Sequence, residues 1–403
     1  MFESYLARQP IFDVDEKLVG YELFYRNNDE GRSAADGGRA TTEVFINSCI
    51  ETGLAKLVGH HQAFIKVTRD FIINHEQLSL SSHRLVLEVL ENIEVDNEVV
   101  AAVKGVIEKN YNLALGDFGY DQNHRGLIQF AHIAKIDVLQ HNVGVLAELV
   151  NSLRSFPVKL LANNVETIAQ YDHCRELGFD YYQGCFICKP RIVRGRQLPA
   201  NKLHVMQLLA ELQKSDAEAR ELEKIIEQDV ALSYKLLRNI NSAAFSLRNK
   251  IESIRHAVVI LGQDEIRKWA SMVALSSIEG KSSELIRIAL QRAKMCELLT
   301  EESGQGNHGA AFMVGLFSTL DALMDAPLKE LLSMLPIADD IKDALLYFKG
   351  PYNNVLSCTI AYEKGDWPLI EGAGLSEAVV VSCYLQSVEW SNLSSGQLAG
   401  ETA

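Results

Sequence analysis

A closed (β/α) barrel followed by an all-α domain is the fold class this sequence predicts. Short apolar runs rich in β-branched and aromatic residues alternate with stretches of helical spacing as far as Gln183. Beyond Leu198-Pro199 helical spacing alone remains. The chain is 403 residues long, which suits two ordinary domains better than one.

The first half justifies the barrel element by element. Strand-like runs at Tyr5–Phe12 and Leu18–Tyr25 flank Asp13-Val14-Asp15-Glu16-Lys17, which reads as a hairpin connection. Thr41–Val58 follows with Val44, Phe45, Ile50, Leu54 and Leu57 at roughly helical spacing. Further strands are expected at Ala63–Val67, Leu85–Leu90, Leu113–Asp117, Ile133–Val138, Val158–Ala162 and Phe179–Gln183. Helices are expected between them at Asn97–Glu108, Val143–Leu153 and Val165–Leu177. So many βα units in under 200 residues favour a compact barrel over an open sheet.

In the second half, helices are expected at Lys202–Lys214, Ala217–Gln228, Ala231–Asn241, Ser253–Leu261, Asp264–Ile278, Leu285–Glu302 and Ala310–Met324. Shorter ones follow at Lys329–Met334 and Ile341–Phe348, and a last one at Ser376–Glu389. The expected domains are therefore residues 1–197 and 198–393, with the small, polar stretch 394–403 as a disordered tail. Gly304-Gln305-Gly306-Asn307-His308-Gly309 satisfies a dinucleotide-loop pattern, but a helix rather than a strand precedes it, so it reads as an interhelical loop. Cys185-Phe186-Ile187-Cys188 is a lone CxxC, read as ordinary thiols.

Composition narrows the function. Hydrophobic residues make up 47% of the chain and charged ones 23%, enough for real cores and against wholesale disorder. The net charge is −14, with −6 over residues 1–198 and −8 over 199–403, which disfavours nucleic-acid binding. One local exception, from Lys235 to Lys268, holds seven basic residues (Lys235, Arg238, Arg248, Lys250, Arg255, Arg267, Lys268) against Glu252, Asp264 and Glu265. It reads either as solvated helix faces or as a docking patch for an acidic partner. There is no apolar run of 18 residues and no basic-then-apolar start, so no membrane contact and a cytoplasmic location are expected. Seven scattered cysteines read as reduced thiols.

The expected strands finish in polar residues: Glu22, Lys66, Glu88, Asp117, Lys135 with Asp137, Asn163 and Gln183. In a (β/α) barrel such ends converge on one face, where function resides. Here the chain resembles the EAL domains of bacterial cyclic di-GMP phosphodiesterases, over nearly all of residues 1–190. Gln9-Pro10-Ile11 is similar to the family's opening, and Glu22-Leu23-Phe24-Tyr25-Arg26 stands at its Glu-Ala-Leu-x-Arg signature. Leu87-Glu88-Val89-Leu90-Glu91, Gly116-Asp117-Phe118-Gly119, Lys135-Ile136-Asp137, Asn163-Asn164-Val165-Glu166-Thr167 and Gln183-Gly184 with Lys189-Pro190 follow in the family's order.

The resemblance implies a TIM-like barrel whose strand ends hold two divalent cations. It also implies which parts of that centre are altered. Glu22, Glu88, Asp117 and Lys135 stand at retained positions, whereas Lys66, Gly116 and Asn163 replace an Asn, an Asp and a Glu of the metal shell. A lysine at 66 would set like charge beside a divalent ion. The expectation is therefore a pseudoenzyme with no catalytic residues in use, no cofactor, and no magnesium or manganese in the barrel. The Lys66 ammonium is expected to neutralise Glu22 and Glu88 in the metal's place. Gln9, Arg26, Asp137 and Gln183 are the residues that would face a nucleotide, Arg26 by gripping a phosphate.

The helical half resembles the HDOD domain, a relative of HD-type metal phosphohydrolases. The resemblance rests on Leu198-Pro199, Ile226-Glu227-Gln228-Asp229 through Lys235-Leu236-Leu237-Arg238, Asn241-Ser242-Ala243-Ala244-Phe245 and Ile254–Gly262. No His-Asp dipeptide occurs in the chain, and after Gly315-Leu316 stand Phe317, Ser318 and Thr319, so this half is expected to bind protein partners rather than metal. The resulting expectation is a bacterial signal-transduction regulator, catalytically inactive, acting through protein contacts whose partners the sequence does not identify. A cyclic di-GMP receptor without hydrolysis and a weak residual phosphodiesterase are the alternatives, and a homodimer stays open.

Overall fold

A computed structural model describes residues 4–27, 54–74, 84–116, 126–191, 199–214, 219–241, 251, 253–371 and 374–399. Two compact units divide the chain between Ile187 and Cys188, with the short Glu363–Gly365 stretch excepted from the second. Each has its own core.

The first unit is a closed barrel in strand order β1 to β8. Ser4–Asp13 (β1) and Leu18–Asn27 (β2) form an antiparallel hairpin. Asp13 closes its turn by accepting from the backbone N–H groups of Asp15 and Lys17, both at 2.9 Å. Parallel strands follow at Gln62–Val67 (β3), Leu85–Val89 (β4), Asn112–Leu115 (β5), Ile133–Asp137 (β6), Lys159–Asn163 (β7) and Tyr181–Gln183 (β8). β1 is antiparallel to both neighbours and pairs with β8 through Ile11 and Gln183, which closes the ring.

Leu54–Val58 (α1), Arg69–Ile73 (α2), Asn97–Glu108 (α3), Val143–Leu153 (α4) and Ile168–Leu177 (α5) are the barrel's described helices. Polar caps start them. Asp96 accepts from the Val99 N–H ahead of α3, Asn142 from that of Val145 ahead of α4, and Thr167 with Gln170 forms a capping box on α5. Of the helix expected over Thr41–Val58, only α1 lies within the described residues.

The barrel is plugged by an apolar layer of Ile11, Phe64, Val86, Ala114, Ile133 and Leu161, all buried. Side chains alternate along a strand, so the residue two positions further along faces the interior again, one layer higher. Those residues are Lys66, Glu88, Gly116, Lys135 and Asn163. A polar layer thus sits on a greasy floor at the strands' C-terminal ends.

The second unit is all helical. Its helices are Ala200–Leu212 (α6), Ala219–Gln228 (α7), Val230–Ile240 (α8), Ile254–Leu261 (α9), Gln263–Ser276 (α10), Ser283–Ser303 (α11), His308–Phe317 (α12) and Leu320–Met324 (α13). Leu328–Ser333 (α14), Asp339–Tyr347 (α15), Asn353–Lys364 (α16), Trp367–Glu371 (α17) and Glu377–Ala399 (α18) complete it. α11 is the axis, packed against α12 and α18. At Gly315 a Cβ would stand 2.4 Å from the Arg292 carbonyl oxygen, so glycine sets how closely α12 approaches α11.

Three expectations need correction. The polar tail from 394 is not disordered as a whole: α18 runs to Ala399, with Ser387, Ser391 and Ser394 buried. The hydroxyls of Ser387 and Ser391 turn back onto carbonyls three residues earlier, so small serines pack into a helix face without unpaired polar groups. The helix expected over Ala310–Met324 breaks at Ser318-Thr319 into α12 and α13. The segment Cys188–Arg191 packs with the helical unit, where the Arg191 N–H donates to Asp325 Oδ1 at 2.9 Å.

Candidate functional site

The polar layer gathers charge from four strands. Lys135 Nζ on β6 donates to Glu22 Oε2 on β2 at 2.5 Å and to both oxygens of Glu88 on β4, at 3.3 and 3.2 Å. Lys66 on β3 places Nζ 3.1 Å from Glu22 Oε1. Gln183 Nε2 on β8 donates to Glu22 Oε2 at 2.5 Å and to Gln9 Oε1 on β1 at 2.8 Å. Glu22, Glu88, Lys135 and Gln183 are buried to 2% exposure or less, while the Lys66 side chain is 31% exposed.

Charge explains the arrangement. Burial alone would push Glu22 up, but the ammonium groups of Lys135 and Lys66 overcome it and hold the carboxyl down at about 2. Glu88 moves the other way: burial and the neighbouring Glu22 charge raise it against the pull of Lys135. Lys135 is itself raised, since the two carboxylates outweigh its burial. The cluster balances two ammonium groups against two carboxylates, the condition under which buried charge is tolerable.

The expected role of Lys66 is redistributed. Lys66 pairs with Glu22, and Lys135 is the cation hydrogen-bonded to both Glu22 and Glu88. Sequence reading placed Lys135 among the retained positions of a disused centre and gave it no part in pairing the carboxylates. The signal was present: Lys135 stands two residues beyond the apolar Ile133 on an inward face, which buries its ammonium and obliges it to find carboxylates.

Gly116 has a related consequence. A Cβ there would lie 2.9 Å from Glu88 Oε1 and 3.2 Å from the Val89 carbonyl oxygen. The Glu88 carboxylate therefore fills the space that an acidic side chain at 116 would claim. Asp137 is spent on structure: it accepts from the Leu139 N–H at 2.8 Å, and from Gln140 Nε2 and Asn164 Nδ2 at 3.0 Å each. Asn163 ends β7, half-buried, with its carbonyl taken by the Val138 N–H at 3.1 Å. Arg26 pairs with Tyr5 in the β1–β2 ladder, its side chain lying outside the description, as does Asp117.

A pair of divalent cations needs several oxygens that carry net negative charge. Among the described residues, the carboxylates here are already matched by ammonium groups. No described group of three or more His, Cys, Asp or Glu could hold a metal ion. A divalent ion within about 4 Å of an ammonium meets repulsion of about 8 kcal/mol at an effective dielectric near 20. The residues present do not fit a two-cation centre as they stand.

In the helical unit, Ser318 Oγ donates to the Gly315 carbonyl at 2.7 Å and accepts from Arg292, and the buried Thr319 bonds the Leu316 carbonyl at 3.3 Å. Both residues act as local helix-end groups. The basic stretch from Lys235 to Lys268 is partly spent internally. Lys268 pairs with Glu297, Arg267 with Asp264 at 3.2 Å, and Arg238 donates to the Gln397 carbonyl at 2.9 Å; Arg248 and Lys250 lie outside the described residues. An ion cluster that sequence reading missed joins Asp325 to Lys202 at 2.8 Å and to Lys281 at 2.7 Å. None of the described helices is long and apolar enough to cross a membrane.

The EAL domain family matches residues 60–190, and the HDOD domain family matches residues 198–327. The chain is 33% identical to YuxH of Bacillus subtilis (strain 168) over 399 residues, covering 96% of this chain and 97% of that protein. It is 32% identical over 377 residues to CdgJ of Vibrio cholerae, named a cyclic di-GMP phosphodiesterase, covering 92% of this chain and 87% of that one. Among solved structures it is similar to Klebsiella pneumoniae BlrP1 in a calcium and cyclic di-GMP complex, with 19% identity, TM-score 0.38, and 45% and 54% of the two chains covered. The chain belongs to the EAL–HDOD family.

This corrects the expectation of a catalytically inactive regulator. A relative alike across both domains carries the name of a phosphodiesterase, so altered strand-end residues are not grounds for placing this chain outside the enzymes.

Proposed function

We propose that the chain is a cyclic di-GMP phosphodiesterase whose reaction takes place at the C-terminal mouth of the barrel. The observation that carries this reading is the likeness to the phosphodiesterase CdgJ over 92% of the chain, which spans both domains. The convergence of Glu22, Glu88 and Lys135 in one buried cluster at the strand ends supports it. Phosphodiester hydrolysis develops negative charge on the phosphoryl oxygens and needs fixed positive charge beside them. Lys135, raised and held by two carboxylates, is a cation whose position and protonation do not vary near neutral pH.

Incubating the full chain with cyclic di-GMP in magnesium or manganese buffer and resolving the products by chromatography tests the reading. Linear dinucleotide is expected, and Glu88→Gln is expected to lower the rate by at least about 100-fold while the chain still folds. Binding of the cyclic dinucleotide with no product after prolonged incubation with excess protein would overturn it.

A further inference from the structure

The mismatch between the site and a two-cation centre has a specific cause. Glu22 Oε2 is saturated by Lys135 and Gln183. Glu22 Oε1 is different: it is buried and accepts no hydrogen bond among the described residues, while the Lys66 ammonium stands 3.1 Å from it as an ion pair. The pair is close enough for attraction, but its geometry does not make a hydrogen bond. Gln183 Oε1 is a second buried acceptor in the same layer without a hydrogen bond. Buried acceptor oxygens without donors are what a hard cation seeks, and here an ammonium stands in front of one of them.

We propose that Lys66 is a built-in competitor of divalent cations at Glu22 Oε1, so that a cation enters this barrel only by displacing it. Lys66 is suited to displacement where Lys135 is not. The Lys66 side chain is 31% exposed on a flexible stem, with its ammonium 5.4 Å from the Phe24 ring centroid, whereas Lys135 is 3% exposed and tied to two carboxylates. Moving Lys66 aside leaves the cluster with one net negative charge and frees Glu22 Oε1 as a first oxygen ligand, the remaining ligands of a single divalent ion being supplied largely by water. With Lys66 in place the cluster is already neutral, so the ion gains little. The competitor therefore sets the cation concentration at which the site is filled.

Titration calorimetry of the full chain with manganese chloride, and separately with magnesium chloride, tests this without reference to turnover. The comparison is wild type against Lys66→Met and Lys66→Gln, the latter keeping a polar contact to Glu22 should the former fail to fold. Removing the charge is expected to tighten manganese binding by on the order of tenfold or more. It is also expected to turn a melting temperature insensitive to manganese into one that rises with it. Equal manganese affinity in wild type and a folded variant, whether tight or weak, would overturn the proposal. A failure of cyclic di-GMP hydrolysis leaves these readouts untouched.

Discussion

At Lys135 one ammonium answers two buried carboxylates, and removing it leaves both without their shared partner. Lys135→Met should therefore destabilise the barrel by about 3–5 kcal/mol, read as a lower urea midpoint with an unchanged slope. The two carboxylates should answer pH oppositely. Glu22, held at about 2, stabilises the fold above its ordinary value near 4.5, and that contribution is lost as pH falls through 2. Glu88 is raised, so its contribution is full below the ordinary value and is lost as pH rises through its folded value. Urea unfolding at pH 7 should thus show Glu22→Gln costing more than Glu88→Gln, with the gap narrowing toward pH 3. Of this site, Glu22, Glu88, Lys66, Lys135 and Gln183 were all legible in the sequence, because strand-end polarity and the resemblance both point to them. The pairing was not, since register alone does not say which of two lysines reaches both carboxylates across a closed ring.

Elements show the same division between what spacing reveals and what packing adds. β6 was predicted over Ile133–Val138 and is found at Ile133–Asp137, because its apolar alternation is unambiguous. α18 was cut short in the sequence reading because serine and glycine read as tail, while in the fold those small residues pack along a buried face. The β7–β8 corner carries the sharpest backbone demand. Gly184 sits at φ 148°, and a Cβ there would lie 2.1 Å from the Val165 carbonyl oxygen and 2.5 Å from its nitrogen. The same Val165 N–H donates to the Gln183 carbonyl at 2.9 Å, and its carbonyl accepts from the Phe186 N–H at 3.0 Å. Gly184→Ala should pry this corner open, cost about 3 kcal/mol or more, and shift Gln183 away from Glu22. Loss of stability by calorimetry together with lowered turnover of cyclic di-GMP is the expected pair of readouts. An unchanged melting curve would show that the corner yields more easily than its backbone contacts imply.

For the whole molecule, the division at Ile187 and Cys188 leaves each unit with its own apolar core, and domains with separate cores unfold as separate cooperative units unless something couples them. One lesion in each unit can then be used as a label. Lys135→Met strikes the barrel's polar layer, and Gly315→Ala strikes the α11–α12 contact, where a Cβ would meet the Arg292 carbonyl oxygen at 2.4 Å and the Ala293 Cα at 2.6 Å. Differential scanning calorimetry of wild type should show two resolvable transitions, one lowered by Lys135→Met and the other by Gly315→Ala. Each shift should be on the order of 5 °C or more for a loss of about 3 kcal/mol in a unit of this size. If either substitution lowers both transitions equally, the units are thermodynamically coupled. The state of the barrel's charge cluster would then be felt in the helical half, a link that no residue of the sequence announces by itself. If the transitions move one at a time, the two units do not share stability.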